Sequence, residues 1–213
     1  MSFAKVIAVT AAAFLVQGAA LTALYVQWGR AGMAEDRRSG REYPLPRSGL
    51  AQRGARLYRE LGCYACHTRQ TLALKDGPDL VRGWGRRRSV ARDYLRDRPL
   101  LVGDLRIGPD LANVGLRQTN RTAFLLRLWR PGRGKSPMPA FRSLFATRLL
   151  RQGSPVSAWA LPLHEDAARG LEVLPKREAE ALAAYLLEQR ADAELPETPG
   201  PGTPERESRV SEP

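Results

Sequence analysis

Two cysteines, Cys63 and Cys66, are separated by two residues, and His67 follows the second one directly. Two thiols at this spacing can each add to one vinyl group of a haem, and the histidine can then reach the iron. A structural zinc site would need more ligands, and the only other histidine or cysteine is His164. A thioredoxin-like redox pair would need a βαβ pattern, which is missing here. The motif therefore predicts one covalent c-type haem with His67 as the proximal ligand.

The second axial ligand follows by elimination. Of three methionines, two lie within the first 33 residues, which leaves Met138. Pro137 and Pro139 flank it and stiffen the loop that must hold a weak thioether on the iron. Thioether ligation raises the potential of a haem, which suits electron transfer toward oxygen chemistry. Three alternatives stay open: Met138 as an apolar filler, His164 as the ligand, and a five-coordinate haem that senses a gas.

His67 also needs an acceptor for the proton on its other ring nitrogen, which fixes the tautomer. A proline carbonyl is the natural candidate. The tetrapeptide Gly-Pro-Asp-Leu occurs at 77–80 and again at 108–111, too short to indicate an internal repeat. Spacing to the haem motif does not separate Pro78 from Pro109.

The segment Val6–Val26 contains no charged residue and is long enough for one membrane-spanning helix. A secretory signal peptide usually has a shorter apolar region, and Gly32-Met33-Ala34 makes a poor cleavage site. We therefore expect a retained anchor. The composition beyond it predicts four parts: an anchor at 1–28, a polar tether at 29–47, one domain at 48–191 and a disordered tail at 192–213.

Two arguments about the orientation of the anchor disagree. Lys5 precedes the apolar segment, whereas several arginines follow it, and the positive-inside rule would keep the domain inside. Long domains translocate largely regardless of charge, and bacteria load covalent haem outside the cytoplasm. We expect a bacterial inner-membrane protein whose haem domain faces the periplasm.

The formal net charge is +12, and the excess comes almost wholly from arginine. A basic patch would favour a nucleic acid partner, but these arginines are spread over the whole chain, which indicates compositional bias. We expect no nucleic acid partner. The densest run, Arg86–Arg88, is a solvated loop or lies near haem propionates or an acidic partner surface.

Apolar spacing predicts helices joined by long loops and little strand. This pattern favours an all-α, class I-like cytochrome c domain behind one transmembrane helix, with the last helix packed on the first domain helix. The predicted helices run from Ser48 to Gly62, briefly after Ser89, from Asn120 or Thr122 to Trp129, over Phe141–Leu150, and from Pro175 to Arg190.

Two further motifs carry a family resemblance. The first is Arg106-Ile107-Gly108-Pro109-Asp110-Leu111-Ala112, and the second is Ser136-Pro137-Met138-Pro139. With Gln70 after the haem motif, and with Arg92–Pro99 and Ala183–Leu186 in the same order, the chain resembles the mono-haem subunit (subunit II) of cbb3-type cytochrome c oxidases. The resemblance extends from about residue 5 to residue 190.

The resemblance implies an electron relay that does not reduce oxygen itself. Electrons would pass from a cytochrome donor to a haem–copper catalytic subunit in the membrane, with a further cytochrome c subunit as another partner. It also implies that Pro109, not Pro78, supports His67 and that Gly54 meets Tyr185. Two alternatives remain: the cytochrome c subunit of a nitric oxide reductase, and a free membrane-tethered shuttle.

Overall fold

The computed structural model describes residues 2–134, 136–150 and 155–198. In these ranges the chain forms six α-helices and two antiparallel β-sheets of two strands each. The helices are α1 (Phe3–Ala31), α2 (Gly49–Glu60), α3 (Val114–Arg117), α4 (Arg121–Trp129), α5 (His164–Ala168) and α6 (Arg177–Leu187). The strands are β1 (Ala34–Asp36) with β2 (Arg41–Tyr43), and β3 (Phe145–Leu149) with β4 (Leu171–Pro175).

Helix α1 contains the predicted span. Its part from Phe3 to Gln27 is long and apolar enough to cross a membrane. Residues 2–27 are all exposed, so this apolar surface is not used in the protein's own core. Only Gly32 and Met33 separate the end of α1 from β1.

The centre of the domain is the crossing of α2 and α6. A Cβ atom on Gly54 would lie 1.9 Å from the carbonyl oxygen of Ala181 and 2.6 Å from Cβ of Tyr185. Glycine therefore allows the two backbones to meet. Next to this contact the rings of Tyr58 and Tyr185 lie 5.3 Å apart in a tilted arrangement. The predicted packing of the last helix on the first domain helix, and of Gly54 on Tyr185, is confirmed.

The ends of α2 follow the sequence signals. The Ser48 hydroxyl accepts a hydrogen bond from the Ala51 amide at 3.2 Å, as an N-cap does. The same hydroxyl donates to Glu188, at the end of α6. Gly62 has a φ of +69°, which ends the helix and turns the chain into the haem motif. Helix α4 is capped in the same way by Asn120, as predicted.

The prediction of a helix over Phe141–Leu150 is wrong. After a short 3₁₀ turn at Arg142–Leu144 the chain forms β3, which pairs with β4 from Phe145 opposite Pro175 to Leu149 opposite Leu171. Phe145 is buried edge-on against Trp129. The pairing is long-range, so the local spacing of apolar residues could not reveal it. The domain contains more helix than strand, but it is not all-α.

The predicted tether and tail also need correction. Within 29–47, residues 34–43 form the first hairpin, and the buried Tyr43 hydroxyl donates to Asp93 at 2.8 Å. Leu195 is fully buried in a small cluster with Tyr43 and Ala193. Residues 34–43 and 192–198 are therefore packed parts of the fold, because two large apolar side chains bury each other in segments that are polar on average. Residues 199–213 of the predicted tail lie outside the described residues.

Candidate haem site

The haem motif lies in a single tight turn directly after α2. Residues Cys63–Ala65 form a 3₁₀ turn, and the His67 amide donates to the Cys63 carbonyl at 3.0 Å. This turn brings both thiols and the imidazole together. Both cysteines are free and half-buried. Burial raises the pKa of Cys63 to about 11, so its thiol is protonated at neutral pH.

The structure brings Pro109, rather than Pro78, to His67. Nδ1 of His67 lies 2.8 Å from the Pro109 carbonyl oxygen. Because a carbonyl can only accept, Nδ1 carries the proton, and Nε2 is the nitrogen left for a metal. The Pro78 carbonyl instead accepts the Arg82 amide at 2.9 Å within its own turn. The two copies of the tetrapeptide therefore differ in what their prolines contact.

Gly108 lies against the imidazole of His67. A Cβ atom there would be 2.1 Å from Cε1 and 2.5 Å from Nδ1, so no larger residue fits without displacing the ring or its loop. The Gly108 amide donates to the Cys66 carbonyl at 2.9 Å, which ties this loop to the haem motif. Sequence reasoning missed this role. The sequence did contain one sign of it, because Gly108 directly precedes the proline that the family resemblance places against His67.

Asp110 holds the chain that follows His67. Its fully buried carboxylate accepts hydrogen bonds from the Thr68 hydroxyl at 2.8 Å and from the Gln70 amide at 2.6 Å. It also accepts the Ala112 amide at 2.9 Å. Asp110 is the neighbour of Pro109, so these bonds hold the Pro109 carbonyl in place against the imidazole.

Asp79, in the other copy of the tetrapeptide, holds the same chain two residues further on. Its fully buried carboxylate accepts the Leu72 amide at 2.8 Å and the Arg106 guanidinium at 2.7 Å. Arg106 also donates to the Gln70 carbonyl at 2.5 Å. The two copies thus bind one segment at alternate residues, Thr68 and Gln70 for Asp110 and Leu72 for Asp79, and Arg106 links them. The sequence showed the duplication but not this shared target.

Met138 lies in the loop between the 3₁₀ turn at Pro131–Gly134 and β3. It is half-buried and packs against the main core, as Cys63 does. Its amide donates to the Ser136 hydroxyl at 3.1 Å. Lys135 lies outside the described residues. His164, the alternative ligand, is the first residue of α5 and is exposed.

The residues present fit a c-type haem. Two neighbouring free thiols, an imidazole with Nε2 available and a glycine that leaves the ring room match the chemistry of covalent attachment and proximal ligation. In residues 2–134, 136–150 and 155–198, no group of three or more His, Cys, Asp or Glu side chains could hold a metal ion by itself. A zinc site made by the protein alone therefore has no candidate in these ranges.

A comparison with known protein families gives a match that includes the haem motif. The model of the family described as cytochrome c oxidase, mono-haem subunit/FixO, matches residues 33–158, more than half of the chain. No curated protein matches the chain. A mono-haem oxidase subunit carries one haem and works in a complex with other oxidase subunits. The chain therefore belongs to the FixO family of mono-haem cytochrome c oxidase subunits.

Proposed function

We propose that the chain is the membrane-anchored electron-transfer subunit of a cbb3-type terminal oxidase. It takes electrons from a cytochrome donor and passes them to the haem–copper catalytic subunit, and it does not reduce oxygen itself. The observation that carries this proposal is the 2.8 Å contact between His67 and Pro109 beside two free thiols. The FixO match to residues 33–158 supports the oxidase as its complex.

In this proposal Cys63 and Cys66 form the two thioether links to haem c. Nε2 of His67 and the sulfur of Met138 would bind the iron, and the Pro109 carbonyl accepts a hydrogen bond from Nδ1–H of His67. When bound, the haem supplies an iron centre that carries one electron at a time. The protein holds both ligands on loops tied to the core, and rigid ligation keeps the rearrangement on electron transfer small.

The domain organisation is part of the proposal. Residues 1–28 anchor the chain, and residues 48–191 form a class I-like cytochrome c domain to which residues 34–43 and 192–198 belong. The crossing of α2 and α6 directly before the haem turn supports this assignment. We place the anchor in a bacterial inner membrane and the domain in the periplasm, since haem is attached there. A further cytochrome c subunit is an expected partner.

The first experiment tests haem attachment. The full chain is produced with and without a c-type cytochrome maturation apparatus, and its mass is measured after denaturation. We expect the mass to increase by one haem only with the apparatus, together with a low-spin reduced spectrum. The Cys63→Ser/Cys66→Ser variant is the control and should stay at the apoprotein mass. A colourless wild-type chain under maturing conditions would overturn the proposal.

The second experiment identifies the complex. Native membranes are solubilised in mild detergent, and the proteins that copurify with the chain are identified. A haem–copper subunit with oxygen reductase activity is expected. Isolation of the chain alone would favour the free shuttle, and turnover of nitric oxide without oxygen would favour the nitric oxide reductase.

A further inference from the structure

A basic cleft lies between the end of α1, helix α2 and the segment around Pro99. It is open to solvent and has a volume of about 870 Å³. Two acidic residues, Glu42 and Asp97, face six arginines in its lining, so the wall carries an excess of four positive charges. The arginines are Arg47, Arg56, Arg59, Arg69, Arg96 and Arg98.

Three of these arginines already form ion pairs, with two carboxylates between them. Arg69 is buried and pairs with Asp97 at 2.7 Å, and Arg47 contacts the same carboxylate. Arg96 pairs with Glu42 at 2.7 Å. The guanidinium groups of Arg47 and Arg69 also lie over one aromatic ring, that of Tyr185. The charges of these residues are therefore already engaged within the protein.

The other three arginines carry three of these four excess charges. Arg56, Arg59 and Arg98 form no ion pair with any residue in the described ranges, and all three are exposed. Arg56 and Arg59 are three positions apart on α2, so they share one side of the helix. Like charges held this close repel each other, and a bound anion would relieve that repulsion.

The cleft also lies next to the end of the apolar helix. Val26 and Met33 are part of its lining, and the apolar stretch of α1 ends at Gln27. The guanidinium of Arg98 lies 5.6 Å from the centre of the Tyr25 ring. Tyrosine is typical of the membrane interface, where the phosphate groups of lipids lie. With α1 in a bilayer, the cleft opens at the depth of the headgroups.

We propose that this cleft binds the phosphate of an anionic phospholipid. Arg56, Arg59 and Arg98 supply the charge, and guanidinium groups match the geometry of phosphate oxygens. A zwitterionic lipid carries its own cation and would be disfavoured among these arginines. The proposal requires that α1 is embedded in the membrane, but it does not depend on the identity of the electron acceptor.

The test uses the full, haem-loaded chain in detergent. Binding of phosphatidylglycerol and of phosphatidylcholine is measured by native mass spectrometry for the wild type and for Arg56→Gln/Arg59→Gln/Arg98→Gln. The matched control is Arg127→Gln/Arg169→Gln/Arg177→Gln. It removes the same charge from exposed arginines that lie outside the cleft and form no ion pair with the described residues. In a separate measurement, inorganic phosphate is added to compete with phosphatidylglycerol for the cleft.

We expect the wild type to prefer phosphatidylglycerol and the cleft variant to lose about fivefold in affinity for each arginine removed. The control variant should keep the wild-type preference. Equal binding of the two lipids, or an equal loss in the control, would overturn the proposal. Displacement by millimolar inorganic phosphate would identify a site for free anions instead. Carbonate extraction of membranes tests separately whether α1 anchors the chain. A chain that is not anchored can therefore be distinguished from an anchored chain that does not bind the lipid.

The same comparison is made on the oxidase complex purified in mild detergent. Wild-type complex should retain more phosphatidylglycerol than complex containing the cleft variant. Equal retention would show that another subunit fills the cleft, which would also overturn the proposal.

Discussion

Nδ1 of His67 lies 2.8 Å from the carbonyl oxygen of Pro109, a contact that joins residues 42 positions apart. Neither residue sets this distance alone. Gly108 leaves space for the imidazole, and the buried Asp110 binds the chain directly after His67. The orientation of the His67 imidazole therefore depends on several residues of the loop 106–112.

The first prediction concerns the glycine against the imidazole. Gly108→Ala places a methyl group where the His67 ring lies, so we expect a lower ratio of haem to protein and a loss of about 2–3 kcal/mol in the free energy of unfolding. Haem is measured by pyridine haemochrome assay and stability by urea unfolding.

The other tetrapeptide offers a matched control. At Gly77 the nearest atom to an added Cβ is the flexible end of Leu72, at 3.0 Å. Gly77→Ala should keep the normal haem content. A Gly108→Ala protein with full haem content and unchanged stability would contradict the assigned role of Gly108.

The second prediction concerns the distal ligand. If Met138 binds the iron, Met138→Ala should convert the reduced protein to a high-spin spectrum, allow carbon monoxide to bind, and lower the reduction potential. His164→Ala, at an exposed residue, should leave all three unchanged. Low-spin bands that persist in Met138→Ala, together with spectral changes in His164→Ala, would assign the ligand to His164 instead.

The third prediction concerns the link between the two tetrapeptides. Arg106→Met leaves the fully buried Asp79 carboxylate without its cation and should lower the free energy of unfolding by about 2 kcal/mol. The loss is smaller than for a fully buried pair because Arg106 is partly exposed. Adding Asp79→Asn removes the buried charge and should recover part of the loss, as measured by urea unfolding. A double variant as unstable as the sum of both single variants would argue against a direct interaction.

The fourth prediction concerns the helix crossing. Gly54→Ala drives a methyl group into the backbone of α6, and we expect it to lower the free energy of unfolding by about 3 kcal/mol. At Gly49, also on α2, an added Cβ meets nothing within 4 Å. The midpoint of thermal unfolding of Gly49→Ala should therefore stay close to that of the wild type, whereas that of Gly54→Ala should fall. Equal midpoints of the two variants would refute the packing argument.

The fifth prediction concerns the segment first expected to be a tail. Leu195→Ala empties a fully buried position and should cost about 2–3 kcal/mol. It should also make the β1–β2 turn around Arg38 more sensitive to trypsin, because Tyr43 loses its partner. Leu45 is exposed, so Leu45→Ala should change neither result. Unchanged proteolysis in Leu195→Ala would show that the hairpin is held by other contacts.

The features predicted best from the sequence are the helix ends, which depend on a few neighbouring residues. The cap at Ser48, the glycine end of α2 and the start of α4 at Asn120 are encoded within a few residues, and the structure agrees. The contact between Gly54 and Tyr185 was available from the family resemblance. Met138 and the cysteines Cys63 and Cys66 were recognised from sequence motifs, and their roles as haem-binding residues remain predictions.

What the sequence did not reveal depends on distant partners. Strand β3 exists because β4 pairs with it, and nothing local in Phe145–Leu149 signals that partner. Tyr43 and Leu195 lie in segments that are polar on average, and they become part of a core only in the folded cluster that they form with Ala193. Likewise, the repeated tetrapeptide was visible in the sequence. That its two aspartates, Asp79 and Asp110, bind the same segment could be seen only in the folded structure.

The two-residue connection between α1 and β1 restricts how the subunit can work. Gly32 and Met33 span about 7 Å even when fully extended. With α1 fixed in the bilayer and β1 built into the domain, the domain can move only a short distance relative to its own membrane anchor. In the proposed electron-transfer role, the domain would therefore reach only a partner that lies beside that anchor, and the position of this partner would determine the rate of transfer.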